Sequence, residues 1–201
     1  MDLTLVLMAA AGEDEPAVPG DVLGIFSRQK NGRLGRRRLV VDLYDQLRPS
    51  LYGYLVSLGL MPQEADDVIQ DAFLRLFRFV DSGGRLQNPR SWIFRVAHNL
   101  ASNLQKRERR LISDNGEYGH ETGSPRSNGN LNPEEFYLHT EQYRRLEAAL
   151  SQLTKHQQEC LHLRAEGLLY REIAEVLGIT VSGVSETLRR AVVRLMSDLY
   201  D

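Results

Sequence analysis

Apolar positions along this chain recur at steps of three and four residues, and no segment alternates convincingly at two. Leu39, Leu43, Leu47, Leu51, Tyr54, Leu55 and Leu58 fall on one helical face, and Gly59 suits the end of that helix. Pro62 fits the first turn of a second helix, with Glu64, Asp66 and Asp67 near the positive end of its dipole. Val68, Ala72, Leu76 and Phe79 line one side of it, and Ile69 and Phe73 widen the stripe. Ser82-Gly83-Gly84 breaks the chain. Asn88 then caps a third helix that has Pro89 at its first position. Trp92, Val96, Leu100 and Leu104 share a stripe on this helix. Trp92 reads as core, and Phe94 as the aromatic nearer the surface. The helix runs out in Lys106, Arg107, Arg109 and Arg110.

The pattern stops between Ser113 and Pro133, a Gly-, Ser- and Asn-rich stretch with too few apolar residues to offset the entropy of ordering it. It reads as a linker. Beyond it, Leu146, Ala149, Leu150 and Leu153 form an apolar face, Thr154 caps the next helix and Gly167 ends it. Tyr170 to Leu177 is a short helix, Gly178-Ile179-Thr180 a tight turn, and a longer helix opens at Val181 or Ser182 and runs through Leu199. Val184, Leu188, Ala191 and Leu195 face inward on it. Ala174 is small where the helices cross, Gly178 permits the corner, and Ile179 and Val184 pin the angle. The expected fold is all-α: two small helical domains joined by a flexible linker, the second with a C-terminal helix-turn-helix. The expected boundaries are 1–35 for an N-terminal extension, 36–112 for the first domain, 113–133 for the linker and 134–201 for the second domain.

Composition narrows the class. Of 201 residues, 26% are charged and 42% hydrophobic, which is ordinary for a soluble chain. No run approaches the ~18 apolar residues of a spanning helix, so no membrane insertion is expected. Cys160 is the single cysteine, which excludes an internal disulfide and a multi-cysteine zinc site and fits a reducing, cytoplasmic home. Leu3 to Ala11 is apolar, but only Asp2 precedes it where a secretory signal carries positive charge. The net charge of −2 is unevenly spread: +5 over 36–110, −4 over 111–138, −1 over 139–201 and −2 over the first thirty-five residues. The basic first domain suggests a polyanionic partner for part of the surface.

Three polar groupings are candidates for function. Asp66, Asp67, Gln70 and Asp71 share the polar face of the second helix. They make poor catalytic carboxylates, because neighbours one apart diverge around a helix and no His joins them. A solvated face or a docking surface for a basic partner remains. On the third helix Arg95, Asn99, Asn103 and Lys106 form a stripe of amides and cations. Asparagine weakens a helix, whereas amides hydrogen-bond bases and cations hold phosphates. The last helix turns Ser182, Gly183, Ser185, Glu186, Arg189 and Arg190 outward, a set able to enter a major groove. An ordinary helical hairpin presents the same spacing, and the near-neutral charge of this domain argues for weak independent DNA binding. None of the five histidines forms a helical metal pair, and Cys160 reads as a small buried hydrophobe. No catalytic residue, metal or cofactor is expected.

Together these stretches resemble bacterial sigma factors of the extracytoplasmic-function (ECF) type, over roughly Leu39 to Arg110 and Leu146 to Leu199. DDVIQDAFLRLF resembles the family's clamp-binding helix, SWIFRVAHNLASN its promoter-melting and minus-ten-reading helix, and LYREIAEVLGITVSGVSETLRRAVVRL its minus-thirty-five reader. The resemblance implies a non-enzymatic factor that binds RNA polymerase core and gives it promoter specificity. It implies docking of Asp66, Asp67, Gln70 and Asp71 on a coiled coil of the polymerase's largest subunit. It implies base capture by the loop Asp81–Asn88 and contact of Arg95, Asn99, Asn103 and Lys106 with melted minus-ten DNA. Minus-thirty-five reading falls to the last helix, through Ser182, Ser185, Glu186, Arg189 and Arg190. An anti-sigma partner clamping between the two domains is also implied. Glu186 departs from the family's basic residues at that place; it can accept from a cytosine amino group but repels phosphate. Two other classes compete. A LuxR-type regulator fits Leu153–Leu195 but needs an α/β sensor domain, and Leu39–Arg110 lacks strands. An enzyme lacks a convergent nucleophile or metal set.

Overall fold

A computed structural model describes residues 33–115, 144–146 and 148–200. The N-terminal extension, apart from 33–35, and the linker, apart from 113–115, lie outside the described residues. Among those described, every regular element is a helix: α1 (Arg33–Ser57), α2 (Pro62–Asp81), α3 (Pro89–Asn115), α4 (Lys155–Ala165), α5 (Tyr170–Leu177) and α6 (Val181–Tyr200). Residues 144–146 and 148–151 are also helical. Helix α3 continues three residues into the stretch read as linker.

The predicted apolar face of α1 is the floor of the first unit: Leu43, Leu47, Leu51, Tyr54 and Leu55 are essentially inaccessible. This helix runs through Pro49. Proline inside a helix removes one hydrogen bond at a cost of ~3 kcal/mol. Leu47 and Leu51, buried on either side, outweigh that cost, since each large apolar side chain contributes ~1.5–3 kcal/mol. Gly59, at φ 93°, turns the chain toward α2. Pro62 opens α2, and Glu64 Oε2 accepts from the Met61 backbone N–H at 2.8 Å. Asn88 caps α3 as expected, its Oδ1 accepting from Ser91 N–H at 3.2 Å.

One expectation about α3 is reversed. Its fully buried residues are Ile93, Phe94, Ala97 and Ala101, while Trp92, Val96, Leu100 and Leu104 are only partly covered. Phe94 is therefore core, not surface. The small side chains of Ala97 and Ala101 admit close helix packing, so the crossing falls on their side. Phe94 then lies 5.6 Å from the Tyr54 ring.

The second unit follows the predicted scheme closely. Thr154 and Gln157 form a reciprocal cap at the start of α4. Gly178 closes α5 in the left-handed conformation, φ 68°, a geometry that penalises any side chain. Val184, Leu188, Ala191 and Leu195 bury the inner face of α6. Arg164 is a buried cation that the pattern did not reveal. Its Nη1 donates to the Leu168 carbonyl at 3.1 Å and its guanidinium lies 5.2 Å from the Tyr170 ring centre, fixing the α4–α5 corner.

The two units are not separate bodies. α3 packs on α5 and α1 touches α4, so both units contribute to one continuous apolar core. Ala97→Leu should overpack the α3 crossing and lower unfolding free energy by about 1–3 kcal/mol, whereas Asn103→Leu on the exposed face should stay within about 0.5 kcal/mol. Urea titration of both variants checks this; equal stability would show that the crossing is looser than drawn.

Candidate polymerase and nucleic-acid interfaces

The three predicted groupings occupy three different surfaces. On α2, Asp66, Asp67 and Gln70 are exposed and Asp71 is half-covered. Asp66 accepts from Arg48 Nη2 and Asp71 from Arg75 Nη2, both at 2.9 Å. These pairs sit in solvent, where water and salt weaken them, so the carboxylates remain open to another cation.

On α3, Asn99, Asn103 and Lys106 are exposed in a row. Arg95, one turn earlier, is half-covered. Its Nη1 lies 3.4 Å from Glu175 Oε2 on α5. The loop before α3 has its own packing. The Phe79 ring stacks near Trp92 at 5.9 Å, and a side chain at Gly84 would overlap that ring. The backbone of the loop thus lies directly on an aromatic face.

On α6, Ser182, Arg189 and Arg190 are exposed, and Ser185 and Glu186 half-covered. Glu186 is tied back on its own helix. It accepts from Arg189 Nε and Nη2 at 2.9 Å each and from Arg190 Nε at 2.6 Å. Hydrogen bonds from Arg189 and Arg190 pull its carboxyl down to about 2. The acid that departs from the family pattern therefore neutralises the two cations beside it. Thr180 Oγ1 accepts from the Gly183 N–H at 3.1 Å, which caps the helix carrying this surface.

The contacts between the units lay beyond sequence reasoning. Asn88 Nδ2 donates to Glu172, which also accepts from Leu169 N–H at 2.9 Å. Arg90 Nη2 bonds Glu166 at 2.8 Å, with side chains 25% and 17% exposed. Lys155 Nζ donates to Gln105 Oε1 at 3.0 Å, and Gln105 Nε2 donates to the Leu58 carbonyl at 2.7 Å. Beneath them Tyr54 lies 5.4 Å from the His162 ring and 2.8 Å from His98 Nδ1. Partners separated by the linker leave no periodic signal; only the capping role of Asn88 was legible.

Burial sets the ionisation here. It pushes the Tyr54 phenol up and both imidazoles down. The charges of Lys155, His156 and Lys106 push His98 further down, while Glu166 partly opposes the shift of His162. Burial likewise raises the Cys160 thiol to about 12, consistent with an inert core residue. Among the described residues no group of His, Cys, Asp and Glu could hold a metal ion, and no helix is long and apolar enough to cross a membrane.

The comparisons with known proteins agree with this layout. Sigma-70 region 2 matches residues 43–111 and Sigma-70, region 4 matches residues 143–195. The chain is 32% identical to the ECF RNA polymerase sigma factor EcfG of Rhodopseudomonas palustris, over 76% of this chain and 80% of that one. It is 29% identical to the RNA polymerase sigma factor YlaC of Bacillus subtilis, over 81% and 93%. The fold is similar to that of the sigma factor RpoE in its complex with the anti-sigma factor NepR from Bartonella quintana. There the TM-score is 0.57 at 24% identity, covering 79% of this chain and 97% of that one. The chain belongs to the ECF family of RNA polymerase sigma factors. It is accordingly a transcription-initiation factor that binds polymerase core and recognises promoters.

Two outcomes follow from the contacts between the units. Glu166→Ala should leave Arg90 unpaired, cost about 1–3 kcal/mol and loosen the units; faster amide exchange at the start of α3 and in α5 would register it, and unchanged exchange would refute it. The histidine shifts make stability depend on pH. Because folding depresses both imidazoles, the unfolded chain binds more protons below about pH 6.5. Stability is then complete above that pH and is lost as pH falls through the folded values. Urea midpoints between pH 5 and 7 should fall with acidity, and His162→Gln should flatten the slope by up to one proton.

Proposed function

We propose a division of labour among the three surfaces. Asp66, Asp67, Gln70 and Asp71 on α2 dock on a coiled coil of the polymerase's largest subunit. Arg95, Asn99, Asn103 and Lys106 hold the melted minus-ten strand, and loop 81–88 captures a flipped base from it. Ser182, Ser185, Glu186, Arg189 and Arg190 on α6 read the minus-thirty-five element in the major groove. The observation that carries this reading is the α3 row: two asparagines and a lysine stand exposed on a basic helix that ends in further arginines. Amides suit unpaired base edges and cations suit phosphates.

The boundaries 36–112 and 134–201 then delimit a polymerase-binding, minus-ten unit and a minus-thirty-five unit. The chain acts in the cytoplasm without catalytic turnover of its own; the polymerase performs the nucleotide chemistry. An anti-sigma partner is part of the proposal, since RpoE of Bartonella quintana was solved with one. In the packed arrangement Glu175 holds Arg95 and Glu172 holds Asn88. DNA would compete with both contacts for those residues.

The test is transcription in vitro with purified polymerase core on a fragmented genomic library, with and without this protein. New transcripts sharing two upstream elements support the reading, and absence of core binding sinks it. Asn99→Ala and Asn103→Ala should each reduce open-complex formation, by about tenfold for a lost base contact of ~1–3 kcal/mol, while core affinity holds. Equal loss of both activities would overturn the proposed division.

A further inference from the structure

Between α1 and α2 lies an open apolar groove of about 490 Å³, lined by Val40, Val41, Tyr44, Phe73, Leu74 and Phe77, with Arg37 and Gln70 at its edges. Its size falls within the ~300–1,000 Å³ of ligand clefts. Val41 and Leu74 are 56% and 46% exposed, which is unusual for neighbouring large apolar residues on a surface otherwise rich in charge. We propose that this groove receives the chain's own N-terminal apolar run, Leu3–Met8, and that the docked run covers part of the polymerase-binding face.

Three observations favour this occupant. First, the tether reaches. Twenty-four residues, 9–32, separate the run from Arg33 at the start of α1. At most ~3.3–3.6 Å each, they span up to about 80 Å. Arg37, one turn into α1, already borders the groove. Second, the chemistry matches. Leu3, Leu5, Val6, Leu7 and Met8 offer five large apolar side chains in six positions, and the groove offers six apolar or aromatic ones. Third, the charges are complementary. Glu13, Asp14 and Glu15 follow the run, and Arg37 stands at the groove edge. Arg36 lies one turn before Val40, and its Nε is buried without a hydrogen-bond partner.

Covering the groove has a consequence that rests on the docking role given to α2. Gln70 belongs both to the groove edge and to the proposed polymerase-binding face. A tethered segment acts at an effective concentration on the order of millimolar. Even a run that binds with a dissociation constant of ~0.1 mM would then lower the apparent affinity for core about tenfold by mass action.

The test uses the full chain with a photo-crosslinking amino acid at position 5. Intramolecular crosslinks to Val41, Leu74 or Phe77, lost in Leu74→Glu, are expected. Crosslinks confined to other surfaces, or found only between copies at high concentration, would overturn the docking. In parallel, Leu5→Glu/Leu7→Glu should bind core about tenfold more tightly than the unchanged chain. Unchanged affinity would overturn the occlusion. Asp66→Lys/Asp67→Lys separates the two readings: it should weaken core binding whether or not residues 1–32 reach the groove, so its failure counts against the α2 docking face alone.

Discussion

Tyr54 is the residue through which two helical units share one core. It is fully buried on α1, packs against Phe94, bonds His98 on α3 and faces His162 on α4. A phenol in such a place needs a hydrogen-bond partner, because an unsatisfied buried hydroxyl costs ~1–3 kcal/mol. His98 meets that need, and only a neutral imidazole can accept the phenol's proton donation at Nδ1. Burial and the neighbouring cations both favour the neutral ring. The packing of the units and the ionisation of the histidines are therefore one constraint. The ring of polar contacts around this centre, from Arg90–Glu166 to Lys155–Gln105, is arranged so that most buried polar groups have a partner.

How far the sequence was legible follows from where each signal originates. Helix faces come from local periodicity, and the residues assigned to those of α1 and α6 are buried; on α2 the assignment fails at Phe79, which is 37% exposed near the helix end, where Val80 is buried instead. Caps and corners come from local backbone chemistry, and Asn88, Thr154, Gly167 and Gly178 were recognisable for that reason. The α3 face was misread because the larger apolar residues, Trp92 and Leu100, drew the stripe toward themselves. In the folded chain the decisive residues are Ala97 and Ala101, whose smallness sets the depth of the crossing. Hydrophobic size is a weaker guide than fit where helices approach closely.

The candidate surfaces divide in the same way. Exposed polar rows are a local property of a helix, so the α2, α3 and α6 groupings could be written from spacing alone. Their long-range partners could not. That Glu175 would hold Arg95 depends on chain segments far apart in sequence, whereas Arg189 and Arg190 stand three and four residues after Glu186, a pairing that helical spacing allows. Arg164 is a further case: a buried arginine in an apolar stretch has meaning only beside the Leu168 carbonyl and the Tyr170 ring it meets.

The Glu186 contacts bear on the proposed minus-thirty-five reading by α6. Arg189 holds the carboxylate through Nε and Nη2 and Arg190 through Nε alone, so further N–H groups on both stay open to a phosphate while Glu186 can turn to another donor. In a major groove the available donors include the cytosine amino group. On the proposed reading, Glu186 turning to that donor would loosen its hold on both arginines and so tie backbone affinity to base identity. With a near-neutral domain charge, long-range attraction to DNA is weak. On the proposed reading, stable engagement of this helix would depend on tethering through the first unit rather than on its own affinity. A recognition surface that is weak alone and strong when held in place suits a factor that reads promoters only as part of the polymerase.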